Sequence, residues 1–381
     1  MKPLEGVITA APRVTCRPIR LRPLPERPLI SVLMINFNYA DFIEQAIRNV
    51  LDQTWPEFEL VVVDDASTDA SVAIVRRLCA EDPRLRLIVH PTNRGMAVAT
   101  NTAFVHARGE ILCLLDSDDW FHPEKLAHVV DRFKASPQCG FIVHPMVICS
   151  ADTPVIQIMP SLPNFERGWI AERLARRGGC WQGMPTSALA MRRQLAELLF
   201  PVPPAEVLRG GVDGYLYTLA PLLTEVSALE QAYSHYRVHG RNGVAALVRD
   251  QTLTRKEIGL CAEHLAAANQ RLAELGLADL VIDPRRNLNI LRGKMLLALY
   301  RNDARWRLFR RWLHLTQRLL RDDLYTPTQR LAYISIYAIA SALPMSMRVR
   351  WVAACLSFNP HKRRLGRLLR VFRHPSLRPA S

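Results

Sequence analysis

Three carboxylates, Asp116, Asp118 and Asp119, directly follow the apolar run Ile111-Leu-Cys-Leu-Leu115. Five apolar residues bounded by turn signals predict a short, fully buried strand. Negative charge without a partner is costly to bury, so these carboxylates are expected to hold a cation or face a solvated cleft. In open parallel sheets, ligands bind beyond the carboxyl ends of the strands. A D-x-D placed there offers hard oxygen ligands to a divalent metal, Mn²⁺ or Mg²⁺, which would draw further ligands from a diphosphate. Asp118 is assigned to the metal and Asp116 to a ribose or the metal. A lone D-x-D is a weak signal, because Asp clusters are common in turns. A second carboxylate pair, Asp64-Asp65, follows another apolar run, Phe58 to Val63, and strengthens the reading. Asp64 is suited to accept two hydrogen bonds from a nucleobase or ribose, whereas Ser67 or Asp69 reads as a helix cap. Asp213 is the candidate general base, with an N-cap for the helix around Tyr215 as the plainer alternative. Gly210 and Gly211 before it would admit close approach of a ligand. His239 could ligate the metal, and with Arg237 it could neutralise a diphosphate; surface roles fit their residue types equally well.

The elements that position these residues follow from periodicity. Leu29 to Ile35 predicts a first strand, with Asn36-Phe37-Asn38-Tyr39 as the turn after it. Asp41 and Glu44 read as a capping box, and Phe42, Ile43, Ala46, Ile47, Val50 and Leu51 have helical spacing. Phe58 to Val63, Leu85 to Val89, Ile111 to Leu115 and Phe141 to Cys149 are further strands. Helices lie between them at about Ser71–Ala80, Met96–Ala107 and Pro123–Phe133, the last opened by an N1 proline. Strands alternating with helices predict a doubly wound, mainly parallel α/β sheet. Right-handed crossovers then carry the turns after these strands to one edge. Asn36, Asp64, the Asn93-Arg94-Gly95 loop and Asp116 should therefore converge, although any one of them alone would be only a turn.

The chain has 381 residues and 49% hydrophobic composition, enough for one large domain and an appended one. Lys and Arg number 50 against 35 Asp and Glu, a net charge of +15, which suits a nucleotide, nucleic acid or anionic lipid, or simply a basic surface. The eight cysteines are scattered without C-x-x-C or paired His spacing, so they read as buried small hydrophobes in a reducing compartment. Residues 1–28 are rich in Pro and Arg without an apolar h-region and read as a disordered basic leader. Beyond about residue 245 the composition shifts to amphipathic helices at about 252–277, 287–300 and 304–320. Residues 331–347 carry no charge and are interrupted by Pro344. A buried helix pair is expected there ahead of interfacial docking, with a true membrane span least expected. The basic end, 361–381, would add attraction to an anionic membrane surface.

In order along the chain, Ser31-Val-Leu-Met-Ile-Asn36-Phe37-Asn38-Tyr39, Val61-Val-Val-Asp64-Asp65-Ala-Ser67-Thr-Asp69, Asn93-Arg94-Gly95 with Asn101, Gly109-Glu110 and Leu115-Asp116-Ser-Asp118-Asp119 resemble family 2 glycosyltransferases. The resemblance covers about residues 29–245 and implies a GT-A fold, Rossmann-like, here with an α-helical C-terminal extension over 246–381. It implies an inverting transfer from a nucleotide-diphosphate sugar to a glycan or lipid-linked acceptor, with no nucleic acid partner. The enzyme would be cytoplasmic, or peripheral at the inner face of the membrane. Asn36, Phe37, Asn38, Asp64, Asp65, Asn93 and Gly95 fall in the segments expected to grip the nucleotide, Asp116 and Asp118 match the D-x-D, and Asp213 matches the general base. Val212 replaces the Glu often found before that Asp. Tyr236-Arg237-Val-His239 matches a frequent Tyr-Arg-x-His segment. The Gln-x-x-Arg-Trp of processive synthases has only a displaced near match at Asn302-Asp-Ala-Arg305-Trp306, which favours a single-addition enzyme.

Two enzyme rivals fit less well. A dinucleotide-binding oxidoreductase would need G-x-G-x-x-G at the first turn, and a sugar-nucleotide pyrophosphorylase would need a glycine-rich basic loop there. The non-enzyme rival is a catalytically degenerate fold that holds an anionic partner or membrane surface.

Overall fold

The computed structural model describes residues 17–356 apart from 151–152, 160–164, 182, 205–207, 209–210, 240–241, 243–250 and 302. The basic segment 361–381, Gly210 and the first part of the basic leader lie outside the described residues. Residues 17–28, expected as disordered leader, instead run along the domain. Leu21 is buried there, and Ile19 N donates to Leu223 O at 2.8 Å. An apolar anchor and a main-chain hydrogen bond offset the ordering entropy that composition alone would leave unopposed.

The first strands form as the apolar runs predict: β1 (Ile30–Asn36), β2 (Phe58–Asp64), β3 (Leu85–Val89) and β4 (Ile111–Asp116). All pair in parallel. Between them lie α1 (Ala40–Leu51), α2 (Ser71–Glu81) and α3 (Met96–His106). The turns converge as right-handed crossovers require: Asn36 is in register with Asp64, and Ile35 with Asp116. β1, β2 and β4 are buried on both faces, which is why they read as continuous apolar runs without alternation. Gly109 precedes β4 because a Cβ there would lie 2.6 Å from Ser31 N.

Three local readings differ from the structure. Asp41 and Glu44 form no capping box; the N-cap of α1 is Tyr39. The free amide of Ala40 donates instead to Asp69 Oδ2 at 2.9 Å, and Glu44 pairs with Arg48 and Arg77. Pro123 lies two residues before α4 (Lys125–Ala135), as the second residue of a turn closed by Lys125 N donating to His122 O. The predicted fifth strand is two strands, β6 (Cys139–Val143) and β7 (Met146–Ser150). Pro145 cannot donate to a ladder, and the chain leaves one sheet for another at His144-Pro145.

The main sheet has the order β10-β6-β9-β4-β1-β2-β3, where β9 is Leu189–Arg192 and β10 is Glu225–Ala228. β9 is antiparallel to both neighbours. A smaller sheet, β5-β11-β7-β8, joins β5 (Trp120–Phe121), β11 (Ser234–Arg237) and β8 (Thr153–Met159) to β7. This second sheet brings Arg237 beside the D-x-D turn. The result is the expected α/β architecture: a mainly parallel sheet flanked by helices, followed by a helical C-terminal region. In that region are α8 (Gln251–Glu274), α9 (Leu288–Tyr300), α10 (Arg305–Arg321), α11 (Pro327–Ala342) and α12 (Met345–Leu356). Leu265, Ala268 and Leu272 of α8 belong to the same core cluster as the sheet residues Leu114 and Val143. α9 to α12 build a further core around Leu299, Leu308 and Tyr337. The uncharged run 331–347 is split between two helices, α11 and α12, around Pro344, but the pair is buried only in part: Ile336, Tyr337 and Ala340 are buried, whereas Leu331, Ile339, Met345 and Met347 are exposed. Among the described residues no helix is long and apolar enough to cross a membrane.

Candidate active site

The D-x-D turn is held by the loop before β9. Ser187 Oγ donates to Asp119 Oδ2 at 2.7 Å and accepts from Asp116 N at 3.1 Å. Arg237 N donates to the other oxygen of Asp119 at 3.0 Å. Asp119 therefore fixes the turn with both its oxygens. Asp118 Oδ2 lies 2.9 Å from His239 Nε2 and accepts from Asn242 Nδ2 at 3.4 Å. One oxygen from each of Asp116, Asp118 and Asp119 falls within a 4.8 Å cluster.

Burial, then repulsion from Asp119, Asp118 and Asp213, drives the Asp116 carboxyl well above the ordinary range. Burial, then Asp118, pushes Asp119 up to about 8. Like charges this close disfavour joint ionisation, and a dication is the partner that relieves it. The donor set is all hard oxygen with one imidazole alongside, which fits Mg²⁺ or Mn²⁺. Asp116 and Asp118 are the carboxylates left to hold such an ion.

The loops after β1 and β2 are more inward-looking than their residue types suggest. Asp64 is fully buried; its oxygens accept from Asn36 Nδ2 at 2.7 Å and Ser67 N at 2.8 Å. It shows no surface in this structure, and Asp64 and Asn36 lock the two loops together. Asp65, also buried, faces His90 Nδ1 at 2.7 Å and accepts from the amides of Arg94 and Gly95. Asn38, with φ of +59°, accepts from Thr68 N at 2.8 Å. Phe37 alone of this turn is strongly exposed, at 43%. The Asn93-Arg94-Gly95 loop is fastened by Asp65 and by Asn93 Oδ1, which accepts from Gly95 N at 3.2 Å. Asn93 itself faces outward.

Asp213 lies in the first turn of α7 (Val212–Leu223), inside the helix and not at its cap, which is Gly211. Its Oδ1 accepts from Gly214 N at 2.8 Å. It remains partly exposed, and burial of the carboxyl raises its pKa. Tyr236, which residue type alone does not single out, is surrounded by charge: burial and then Asp119, Asp118, Asp116 and Asp213 push its phenol up. Arg237 is clamped between rings, 4.9 Å from the Phe42 centroid and 4.6 Å from that of Trp120. Its Nε donates to Asp118 O at 2.9 Å and Nη2 to Gln45 Oε1 at 2.5 Å. His239 stacks on Phe42 at 4.8 Å. The fold thus gathers Asp116, Asp118, Asp119, Asp213, Tyr236, Arg237 and His239 into one polar cluster, while Asn36, Asp64 and Asp65 brace the neighbouring loops. Sequence reasoning missed Ser187, which only its place in a polar loop could have flagged, and reached Tyr236 only through the Tyr-Arg-x-His segment, without a role.

Residues 31–200 match a family model described as glycosyl transferase family 2. An uncharacterized glycosyltransferase of Nostoc sp. (strain PCC 7120) is 29% identical over 316 residues, covering 82% of this chain and 94% of that protein. The succinoglycan biosynthesis protein ExoO of Rhizobium meliloti (strain 1021) is 39% identical over 109 residues, 29% of this chain and 31% of ExoO. Among solved structures, the mannosyltransferase PcManGT from Pyrobaculum calidifontis, in complex with GDP-Man and Mn²⁺, is 21% identical, covers 89% of each chain and has a TM-score of 0.48. The chain thus spans nearly all of the Nostoc relative but under a third of ExoO.

Proposed function

We propose that this chain, whose residues 31–200 match the model of glycosyl transferase family 2, moves a sugar from a nucleotide-diphosphate donor to an acceptor hydroxyl with inversion. The observation that carries the reading is the meeting of the Asp116-Asp118-Asp119 cluster with Asp213, whose charge acts on Asp116. In the reaction, Asp213 accepts the proton of the acceptor hydroxyl as that oxygen attacks the anomeric carbon. The bond from that carbon to the diphosphate oxygen breaks on the opposite face, and the nucleoside diphosphate leaves with the electron pair. A single displacement needs no protein nucleophile. A pKa raised by burial makes Asp213 a stronger base than an ordinary carboxylate. Asp116 and Asp118 would hold a divalent cation, with His239 beside them. Such an ion, when bound, neutralises the charge growing on the leaving diphosphate. Phe37 and the outward-facing Asn93 are placed to meet the nucleotide, and Arg237, fixed by its rings, carries positive charge to the same edge. The acceptor is proposed to be a glycan, polysaccharide or lipid-linked saccharide; ExoO's part in succinoglycan biosynthesis favours a polysaccharide pathway.

A thermal-shift panel of UDP-, GDP-, dTDP- and CMP-sugars with Mn²⁺, Mg²⁺ or EDTA tests the donor site. Ligand at ~100 times its Kd adds about 2.7 kcal/mol to stability. One nucleotide class should shift the melt, with the shift lost in EDTA and in Asp118→Asn. A folded protein that no donor shifts, with or without metal, would sink the proposal.

A further inference from the structure

We infer that the C-terminal helices carry a docking surface for an anionic lipid bilayer, centred on the outward face of α10. α10 buries Leu308, Leu315 and Leu319 against the C-terminal core, as an amphipathic helix should. It also carries a second apolar stripe that faces solvent. Trp306 and Phe309 are each 57% exposed and Leu320 55%, with Leu313 exposed between them. At 3.6 residues per turn these four positions fall within about 60° of one another around the helix. Arg310 and Arg321 border the stripe. The arginines of α10 meet no acidic residue within the helix. The Arg307 and Arg310 guanidinium carbons lie 5.4 and 5.8 Å from the Trp306 ring centroid, so cation and indole are presented together.

The patch does not stop at α10. The Phe309 and Trp312 rings are 5.8 Å apart, and Trp312 Nε1 donates to Ile334 O of α11 at 3.1 Å. α11 exposes Leu331 and Ile339, and α12 begins with exposed Met345 and Met347. Eight of the fourteen exposed large hydrophobics among the described residues lie between Trp306 and Met347, so the exposure is concentrated and not scattered.

Charge and apolarity together select the occupant. A soluble polyanion would satisfy the arginines and leave Trp306 and Phe309 in water. A second copy would set arginine rim against arginine rim. The chain beyond α12 is itself basic, with Arg363, Arg364 and Arg367, so it is repelled from the same face. An anionic bilayer surface satisfies both features: aromatic and aliphatic side chains enter the interface while arginines meet headgroup phosphates. The inference stands apart from the transferase reading and uses no residue of the polar cluster.

The test is flotation of the full chain with vesicles of phosphatidylcholine alone, or mixed with phosphatidylglycerol, at low and high salt. The wild type should float with the anionic vesicles and lose binding in high salt. Trp306→Ser with Phe309→Ser, and separately Arg310→Gln with Arg321→Gln, should each lower anionic-vesicle partitioning about tenfold or more. Both pairs keep the basic end of the chain, and their melting should stay unchanged because the altered side chains face solvent. A donor-induced thermal shift in the same variants separates failure here from failure of the transferase reading. The inference is overturned if the wild type fails to float, floats equally with both vesicles, or is matched by the Trp306-Phe309 variant. It is also overturned if light scattering shows a wild-type dimer that this variant splits.

Discussion

At the residue scale, the site separates carboxylates that hold from carboxylates that are left to react. Asp119, with both oxygens engaged by Ser187 and Arg237, and Asp64, with both engaged by Asn36 and Ser67, are fixed parts of the frame. Asp213 accepts from Gly214 N, a bond that an amide oxygen can also accept. Asp213→Asn should therefore fold and bind donor normally while turnover falls by about 10²- to 10⁴-fold. Donor thermal shifts beside initial rates check this; loss of both together would place Asp213 in binding and not in proton transfer. The same residue gives a pH expectation. A base works only when ionised, so the rate falls as pH drops through its folded pKa. Burial raises that pKa above the ordinary Asp value of about 3.9. The acid limb of kcat/KM should accordingly lie above that value and disappear in Asp213→Asn. A wild-type profile flat down to the ordinary carboxylate range would exclude the assignment.

At the element scale, α4 begins with a fully buried lysine. Lys125 Nζ donates to Ser187 O at 2.8 Å and to Ser234 Oγ at 3.2 Å, and lies 3.3 Å from the Phe121 ring centroid. Burial lowers its pKa to about 7. The unfolded lysine keeps its proton up to about 10.4. Between these values the unfolded chain binds more protons, so this residue makes stability rise with pH, by up to about 1.4 kcal/mol per unit. Ser234 Oγ also donates to Ser187 O at 2.6 Å, so that carbonyl keeps a partner without the lysine. Lys125→Met should thus be neutral or stabilising at pH 7, and should lack the wild type's gain in melting temperature between pH 7 and 9.5. A large loss of stability would show instead that the ammonium holds the Ser187 loop. α7 makes a similar point about sequence. Gly214, beside Asp213, carries no side chain because His264 of α8 occupies that space; a Cβ would lie 2.0 Å from the ring.

At the scale of the whole molecule, the helical extension is not simply appended. α8 shares the core of the main sheet, and Arg177, 4% exposed, bridges Glu166 at 2.7 Å and Asp323 at 2.5 Å across the seam. A chain ending at residue 245 would leave the apolar face that α8 covers in water. It should bind a hydrophobic dye and lose its cooperative melt. A sharp melt with donor binding retained would show that residues 29–245 fold by themselves. Arg177→Ala should cost about 1–3 kcal/mol, because it removes the nearer partner of the mostly buried Glu166 and leaves it only Arg173 at 3.6 Å, while the half-exposed Asp323 can turn to water. A variant melting within a degree of wild type would count against that role.

The sequence by itself determined the first four strands, the order of the polar turns and their convergence, since each rests on short-range signals: an apolar run, a turn residue, a carboxylate at the strand end. Asn36, Asp64 and Asp116 were legible for that reason. Only the tertiary structure decided which oxygens remain available. Ser187 reaches Asp119 from 68 positions away, and His239 reaches Asp118 from 121. The same distance in sequence hid the cap that Asp69 gives α1, the membership of α8 in the sheet's core and the second apolar stripe of α10. A hydrogen bond or a buried face is settled by what lies opposite it in space, and local periodicity carries no record of that partner.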